Sequence, residues 1–442
     1  MGFIHSDPRK DKLDLTKYAS NQDDPETYYG LPQSVAFCSK CVISNQRPNS
    51  TVEHKHTKDS KKNTINFDAE GVCDACRMAE RKHEDIDWEE RRRELQVLCD
   101  KYRSRNGHYD CLVPGSGGKD SFYQSWMLKY EFGMNPLTVT WAPHVYTEWG
   151  WRNFQRWIHS GFDNYLLTPN GRVKRLITRL AVENLFHPFQ PFIFGQKSYA
   201  PKMAARMDIP LIFYGENEAE YGNPIADNTS AKRDFSYFSN SADSEIFLGG
   251  TSIQSLVDDY KVRPVDLDVY RPSNPDELNK KGIEVHYLGY YLKWHPQAAY
   301  YFAVENGGFE ASPERTPGTY SKYNSIDDRI DDLHYYTTFI KFGIGRTTYD
   351  AAQEIRSHDI EREEGVALVR RYDGEFPDRF ADELMEYLSL PEKEFPEASK
   401  PFEVPVMDRD YFDALANRFR SPHLWAYENG EWKLRRRVFD EN

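Results

Sequence analysis

At 442 residues, with 39% hydrophobic and 29% charged residues, the chain is long enough for two or three domains around a large core and has the balance of a globular protein. A net charge of −13 excludes broad binding to a phosphate backbone, which needs basic surface, and leaves room only for a local basic groove. No apolar run is long enough to span a bilayer and no secretory signal is evident, so the expected setting is a reducing cytoplasm. Met1-Gly2-Phe3-Ile4-His5-Ser6 fits a myristoylation pattern formally, but no basic cluster or second anchor supports it. Asn49 and Asn228 fit the glycosylation tripeptide, which carries no weight without a signal.

In chain order, residues 1–36 are polar and without period, which predicts an extension that orders on contact or is partly disordered. Residues 37–80 hold two Cys-x-x-Cys knuckles, Cys38/Cys41 and Cys73/Cys76, the arrangement by which four thiolates reach tetrahedral geometry around zinc. With all four positions filled by protein, such a zinc builds structure. Disulfides or a redox dithiol are the alternatives, and both fit a reducing compartment poorly. The polar excess between the knuckles, Asn45 to Asn63, is expected to loop out, carrying His54 and His56 into solvent unless one replaces a ligand. Residues 81–108 form a linking helix, N-capped by Asp87 with Glu90 as its capping-box partner, and ending near Arg105. Cys99 and Cys111 read as core.

Residues 109–297 alternate strands and helices. Tyr109 to Val113 is the first strand, followed by Pro114-Gly115-Ser116-Gly117-Gly118-Lys119-Asp120-Ser121 and a helix over 122–132 ending at Gly133. Further strands are expected at 136–141, 164–168, 210–214 and 284–292, with helices at 149–160, 170–186 and 195–207. That alternation predicts a parallel sheet with ligands at the carboxyl ends of its strands. Residues 298–442 read as mostly helical and charged, with Pro-rich joints between Pro391 and Pro405 and a basic run, Lys433 to Arg437, that suits an acidic partner or simply a solvated face.

A Gly-rich turn between strand and helix sets backbone N–H groups and the positive helix end against an anion. Gly117 and Gly118 permit close approach, Ser116 and Ser121 add hydroxyls, Lys119 a cation and Asp120 a magnesium ligand. The spacing is not that of a P-loop. Gly215-Glu216-Asn217-Glu218-Ala219-Glu220-Tyr221-Gly222 follows the fourth strand and brings three carboxylates toward the same crevice, unless it is only a charged surface loop. Trp141, Trp149, Trp151 and Trp157 cluster near the end of the second strand, where one can stack on a ring ligand although core packing is the commoner fate. Arg346, Arg356 and Arg362 suit a carboxylate or phosphate clamp, or a charged helix surface.

Ser-Gly-Gly-Lys-Asp-Ser resembles the PP-loop of the ATP pyrophosphatases. The wider set is similar to the N-acetyl sugar amidotransferases of the PseA- and WbpG-like kind. That set comprises Cys-x-x-Cys, Cys-x-x-Cys-Arg, Ile86-Asp87-Trp88, the Gly-rich loop, Thr138 to Pro143, Thr147 to Asn153, Gly-Glu-x-x-x-Glu-Tyr-Gly, and Lys341 to Arg346 with Ile355-Arg356 and Arg362 to Val366 beyond. The likeness runs from about Phe37 to about Phe395, with the inter-knuckle loop as its expanded departure. It implies an α/β fold: a parallel-sheet PP-loop (adenine nucleotide alpha hydrolase-like) domain, an N-terminal zinc module and a C-terminal helical region serving substrate or partner. It implies cofactors ATP, Mg2+ and Zn2+, with Ser116, Gly117, Gly118, Lys119, Asp120, Ser121 and Thr140 holding nucleotide. Lys119, Asp120, Glu216 and Glu220 would act catalytically, and Cys38, Cys41, Cys73 and Cys76 would hold zinc.

The implied reaction adenylates a sugar N-acetyl group and displaces AMP with ammonia, leaving an acetamidino group for a bacterial surface glycan such as O-antigen or a flagellin glycan. Position 2 is Gly, and none of the six cysteines sits on a Gly-flanked elbow, so this chain should lack glutaminase activity. The family implies a separate HisH-like glutaminase subunit, with a HisF-like barrel subunit as a further partner, and no nucleic acid. A tRNA thiolation enzyme is the rival reading, weakened because no cysteine follows Cys111. A non-catalytic zinc-ribbon scaffold is the other, weakened by the intact loop.

Overall fold

The computed structural model describes residues 5–223, 230–240, 245–390 and 402–440. Asn228, most of the Pro-rich joint and the first four residues lie outside them. Five strands form one all-parallel sheet in the order β3-β2-β1-β4-β7: β1 Cys111–Pro114, β2 Pro136–Trp141, β3 Asn164–Leu167, β4 Leu211–Tyr214 and β7 Glu284–Tyr287. Two short antiparallel pairs stand apart from it, β5 Phe247–Leu248 with β6 Thr251–Ser252, and β8 Trp425–Glu428 with β9 Glu431–Leu434. Leu112 sits at the centre of the large sheet, opposite Leu137 on one side and Ile212 on the other. Burial on both faces explains why Cys111, Leu112, Val113 and Leu211 to Phe213 are apolar without alternation.

The chain runs outward through β2 and β3 and then crosses to β4 and β7, so the order reverses at β1. The crevice beyond the carboxyl ends of β1 and β4 is therefore the topological switch point, where α/β sheets place ligands. The Gly-rich loop leaves β1 there and Gly215 to Gly222 leaves β4 there.

Most local expectations match within a residue or two. Asp87 caps the helix Trp88–Tyr102 by accepting from the N–H groups of Glu89 and Glu90. The Glu90 carboxylate pairs with Arg93 in the next turn, so the cap has its acceptor half alone. The helix after the loop is α-helical over Lys119–Trp126 and widens to a π turn over Met127–Glu131 before Gly133 at φ +62°. The helix expected to start at Gly195 starts instead at Gln190 and continues to Met207, with Pro201 inside it. The last strand is short: Leu288–Tyr291 turns helical, with Leu288, Gly289 and Tyr291 buried.

The N-terminal extension takes the ordered-on-contact alternative, and the loop expected between the knuckles is corrected. From His5 onward the N-terminal segment is tied to the C-terminal region. Tyr18 Oη donates to Arg420 O at 2.9 Å, Tyr29 Oη to Phe419 O at 2.8 Å, and His423 N to Glu26 O at 3.1 Å. Residues 45–63 do not loop out. Ser50 N donates to Asn223 Oδ1 at 2.9 Å, Gln190 Nε2 donates to Glu53 O at 2.9 Å, and His54 and His56 are buried. The C-terminal region holds the helices Ile330–Phe342, Arg346–Arg356, Arg362–Tyr372, Ala381–Leu388 and Arg409–Phe419, and closes with the β8–β9 hairpin. In the basic run Arg435 donates to the carbonyls of Ala19, Pro422 and Trp425, and Arg437 pairs with Asp440. Those two side chains serve the fold.

Candidate active site

Gly115 and Gly117 are required by the shape of the loop after β1. A Cβ on Gly115 would lie 2.2 Å from Ser121 Cβ. Gly117 has φ +85°, and a Cβ there would lie 2.5 Å from Phe154 Cα. Gly118 is different: it adopts φ −67° as the N-cap of the following helix, and a Cβ there meets only Ser116 Oγ, at 3.8 Å. Ser121 braces the turn, its Oγ accepting from Gly117 N at 3.2 Å and donating to Gly118 O at 3.0 Å. Lys119 is buried and its Nζ reaches Asp120 Oδ2 at 2.6 Å. The first turn of a helix leaves backbone N–H groups without internal partners, so the loop offers donors, a hydroxyl and a cation together.

Two cavities of about 320 Å³ each open on this loop. The first is walled by Lys119, Asp120 and Glu216 from the sheet side, and by Ser325, Tyr335, Tyr349, Asp350 and Arg356 from the C-terminal helices. Ile43 and Ala75 of the cysteine module complete it. The second meets Ser116, Gly118, Lys119 and Asp120, and is bounded by Phe189, Phe192, Tyr323 and the carboxylates Asp327, Asp328 and Asp331.

The carboxylates after β4 part company. Glu216 faces Lys119 and Asp120 in the first cavity; burial, with Asp120 adding to it and Lys119 opposing, pushes its carboxyl up to about 7. Glu220 turns away to Lys82 of the helix Asp74–Glu84, 2.6 Å from Nζ, and Lys82 also donates to Trp294 O. Glu218 pairs with Arg233. Thr140 is fully buried within β2, its Oγ1 accepting from Asn164 Nδ2 at 2.9 Å, and is not among the residues that wall either cavity. The tryptophans are mostly structural. Trp141 and Trp157 are buried, Trp157 donating to Ser125 Oγ at 2.8 Å, Trp149 donates to Ile326 O at 2.7 Å, and Trp151 is exposed against Tyr146.

Of the three arginines, Arg346 is buried and donates to the carbonyls of Asn324 and Ser325, holding a wall of both cavities. Arg362 donates to Cys41 O at 3.2 Å and Cys38 O at 3.4 Å. Arg356 lines the first cavity and lies against the Cys41 thiol, where the cysteine cluster more than offsets the pull of burial on its guanidinium.

The four cysteine Sγ atoms lie within 4.8 Å of one another, all buried, with Cys38–Cys76 and Cys41–Cys73 both 3.8 Å apart. Ligands about 2.3 Å from a tetrahedral centre stand about 3.8 Å apart, so the set has the dimensions of a closed four-cysteine zinc site.

Sequence reasoning missed the acidic run Asp327-Asp328-Arg329-Ile330-Asp331-Asp332. Asp327 is half-buried within reach of the Ser116 hydroxyl, which opposes the rise that desolvation imposes on its carboxyl. Asp328 accepts from His144 N at 2.6 Å and faces its Nδ1 at 2.8 Å. The available signal was two Asp-Asp pairs four apart, one before and one in the first turn of the helix Ile330–Phe342, a placement more polar than a core-facing helix needs.

Residues 317–438 match the C-terminal domain of WbpG-like LPS biosynthesis proteins. That likeness covers the C-terminal part of the chain. The matched segment supplies the C-terminal wall of the first cavity, from Asn324 to Arg356. An uncharacterised protein of Methanocaldococcus jannaschii is 32% identical over 84 residues, 19% of this chain and 29% of that protein, so the likeness spans less than a third of the relative. No helix among the described residues is long and apolar enough to cross a membrane.

Proposed function

We propose that this WbpG-like protein is an enzyme of surface-glycan biosynthesis, an ATP-dependent, AMP-forming amidotransferase acting on an N-acetylated sugar. The observation that carries the reading is the Gly-rich loop at the switch point of a parallel sheet, with Lys119, Asp120 and Glu216 turned into a cavity that the WbpG-like segment closes. The loop N–H groups, Ser116, Ser121 and Lys119 would grip the β- and γ-phosphates of ATP. Asp120 and Glu216, with Asp327 on the far side of the loop, have the oxygen donors to hold magnesium, which when bound neutralises phosphate charge.

The acetamido oxygen attacks the α-phosphorus and pyrophosphate leaves. Ammonia then adds to the amide carbon, AMP departs with the former amide oxygen, and the surplus protons leave to solvent. Net, one ATP and one ammonia give AMP, pyrophosphate and an acetamidino group. With substrate in place the cavity walls would shield the adenylate from hydrolysis. Cys38, Cys41, Cys73 and Cys76 would hold a structural zinc. Ammonia would come from a separate HisH-like glutaminase, with a HisF-like barrel as a further partner.

Against the thiolation reading, Cys99 and Cys111 are buried in the core, burial raises both thiols, and neither they nor any other cysteine lines the two cavities. The test is incubation with ATP, magnesium, ammonium and a panel of free and nucleotide-linked diacetamido sugars, scored by mass. Expected is a loss of about 1 Da per modified acetamido group with matched AMP release. Release of ADP, or full activity in Lys119→Ala and Asp120→Ala, would refute it.

A further inference from the structure

Beside the first cavity lies another of about 260 Å³, and Arg47, His334, Thr338 and Tyr349 border both. Among the described residues four cations line this adjoining space: Arg47, Lys62, Lys197 and Lys341. Arg47 and Lys341 are 9% and 4% exposed. Their polar contacts are to neutral oxygens: Lys341 Nζ to Leu185 O at 2.7 Å, Lys62 Nζ to Thr51 Oγ1 at 3.4 Å and Arg47 Nη1 to Pro48 O at 3.4 Å. Lys197 lies 5.9 Å from the centre of the Tyr237 ring. One carboxylate, Glu53, lines the space, and it is engaged by Thr51 Oγ1 at 3.1 Å and His56 Nδ1 at 3.4 Å.

Burial pulls all four cations below their usual range, Lys341 to about 7, and Lys62 and Lys197 add repulsion within the group. Among the described residues four cations face the single carboxylate of Glu53 here, so positive charge is in excess; such an excess held out of water is costly to the fold, and a bound oxyanion offsets that cost. Glu53, His56 and His187 have ligand atoms close enough to hold a metal ion. Four cations around the same space oppose a divalent ion there and favour an anion.

We propose that this adjoining cavity is an oxyanion subsite, in which Arg47, Lys62, Lys197 and Lys341 receive a carboxylate or phosphate group carried by the sugar whose acetamido group reaches the Gly-rich loop. This rests on the amidotransferase reading, and the shared walls are what let one ligand span both spaces. Lys62 belongs to the stretch between the cysteine knuckles, so that expansion acquires a role in substrate selection.

The test is calorimetric titration of the full Lys119→Ala chain, without nucleotide, so that the loop's own phosphate affinity is removed. The probes are glucuronate, glucose 1-phosphate and inorganic phosphate, with N-acetylglucosamine as the neutral control. At least one acid should bind where the neutral sugar does not, and Lys62→Met should weaken it at least tenfold without lowering the melting temperature. Lys341→Met should do the same, and Lys62→Met suffices if that variant fails to fold. Comparison of glucuronate with the two phosphates tells which oxyanion is preferred. No binding by any acid, binding indifferent to Lys62→Met, or a second equivalent of zinc lost in His56→Ala would overturn the subsite. A chain that binds acids but forms no amidine keeps the subsite as an anion site and sinks the reaction. One that turns over neutral sugars and binds no acid does the reverse.

Discussion

Adjacent glycines in the loop separate folding from ligand approach. Gly117→Ala places an L side chain at φ +85°, which costs about 1–2 kcal/mol in the backbone alone. Its Cβ also lands 2.5 Å from Phe154 Cα, a backbone atom inside the helix Glu148–His159 that has no cheap way to retreat. Overpacking of that kind adds about 1–3 kcal/mol, for a total of about 2–5 kcal/mol. Gly118→Ala meets only Ser116 Oγ at 3.8 Å and starts from φ −67°, so its stability should change by less than about 0.5 kcal/mol, or rise slightly through the unfolded state. Gly118 nonetheless borders the cavity at the mouth of the loop. A methyl group there takes the space a phosphate oxygen needs, and loss of even about 1.4 kcal/mol of transition-state binding lowers kcat/KM tenfold. The assay is paired: thermal unfolding by circular dichroism, and pyrophosphate release with sugar and ammonium. Expected are a clear fall in Tm for Gly117→Ala, and a wild-type Tm with at least tenfold less pyrophosphate for Gly118→Ala. Wild-type turnover in Gly118→Ala would refute the placement of phosphate on this loop, whatever Gly117→Ala does.

Lys82→Met leaves the Glu220 carboxylate facing the interior alone and should cost about 3 kcal/mol, of which Lys82→Met with Glu220→Gln regains a large part; denaturant titration of both decides. If Glu220 acts on substrate instead of bracing the loop, the double variant recovers stability without activity. Removal of metal by a strong chelator should lower Tm and release about one zinc per chain, and Cys41→Ser should copy it; a chain that melts unchanged with no zinc released has no structural site there. Glu354 accepts from Tyr320 Oη at 2.7 Å, and burial raises its carboxyl to about 7. A folded value above the unfolded one means that stability present at low pH is lost as pH climbs from about 4.5 to about 7. Glu354→Gln should flatten that part of the stability curve, and an unchanged curve would show that Glu354 titrates normally.

Legibility in the sequence followed the range of the interactions. The strands β1, β2 and β4 and the cap at Asp87 were readable because a buried parallel strand, or a side chain accepting from the next turn, is specified within a few residues. The loop after β1 was readable because its glycines, hydroxyls and cation are contiguous. Residues 45–63 were misjudged because their polarity looked like solvent exposure. It is instead satisfied across the chain, Ser50 by Asn223 and the Glu53 carbonyl by Gln190, pairings more than 130 residues apart that no local pattern records. Glu220 and Glu216 illustrate the same limit at one site. Four residues apart on one loop, one meets Lys82 from the cysteine module and the other meets Lys119, and only tertiary structure chooses between them.

The cysteine module therefore does more than stiffen the N-terminal half. Ile43 and Ala75, each within two residues of a cysteine of the cluster, line the first cavity, and a Cβ on Gly222 would lie 2.3 Å from Ile65 Cδ1. Arg362 and Arg356, both from helices of the WbpG-like segment, grip the module by its carbonyls and its thiol. Sheet, module and C-terminal helices each contribute one wall, and none of them encloses the Gly-rich loop alone. A tetrahedral metal centre at the four cysteines would fix the two knuckles relative to each other, and through Arg356 it would fix a cation in the first cavity, where the proposed reaction develops phosphate charge. Arg356→Lys keeps the charge but loses the planar fork that faces Cys41 and the cavity at once. It should lower kcat for AMP formation more than it raises KM for ATP while zinc content stays at one. Loss of zinc in that variant would instead mean that Arg356 serves the knuckle and not the reaction.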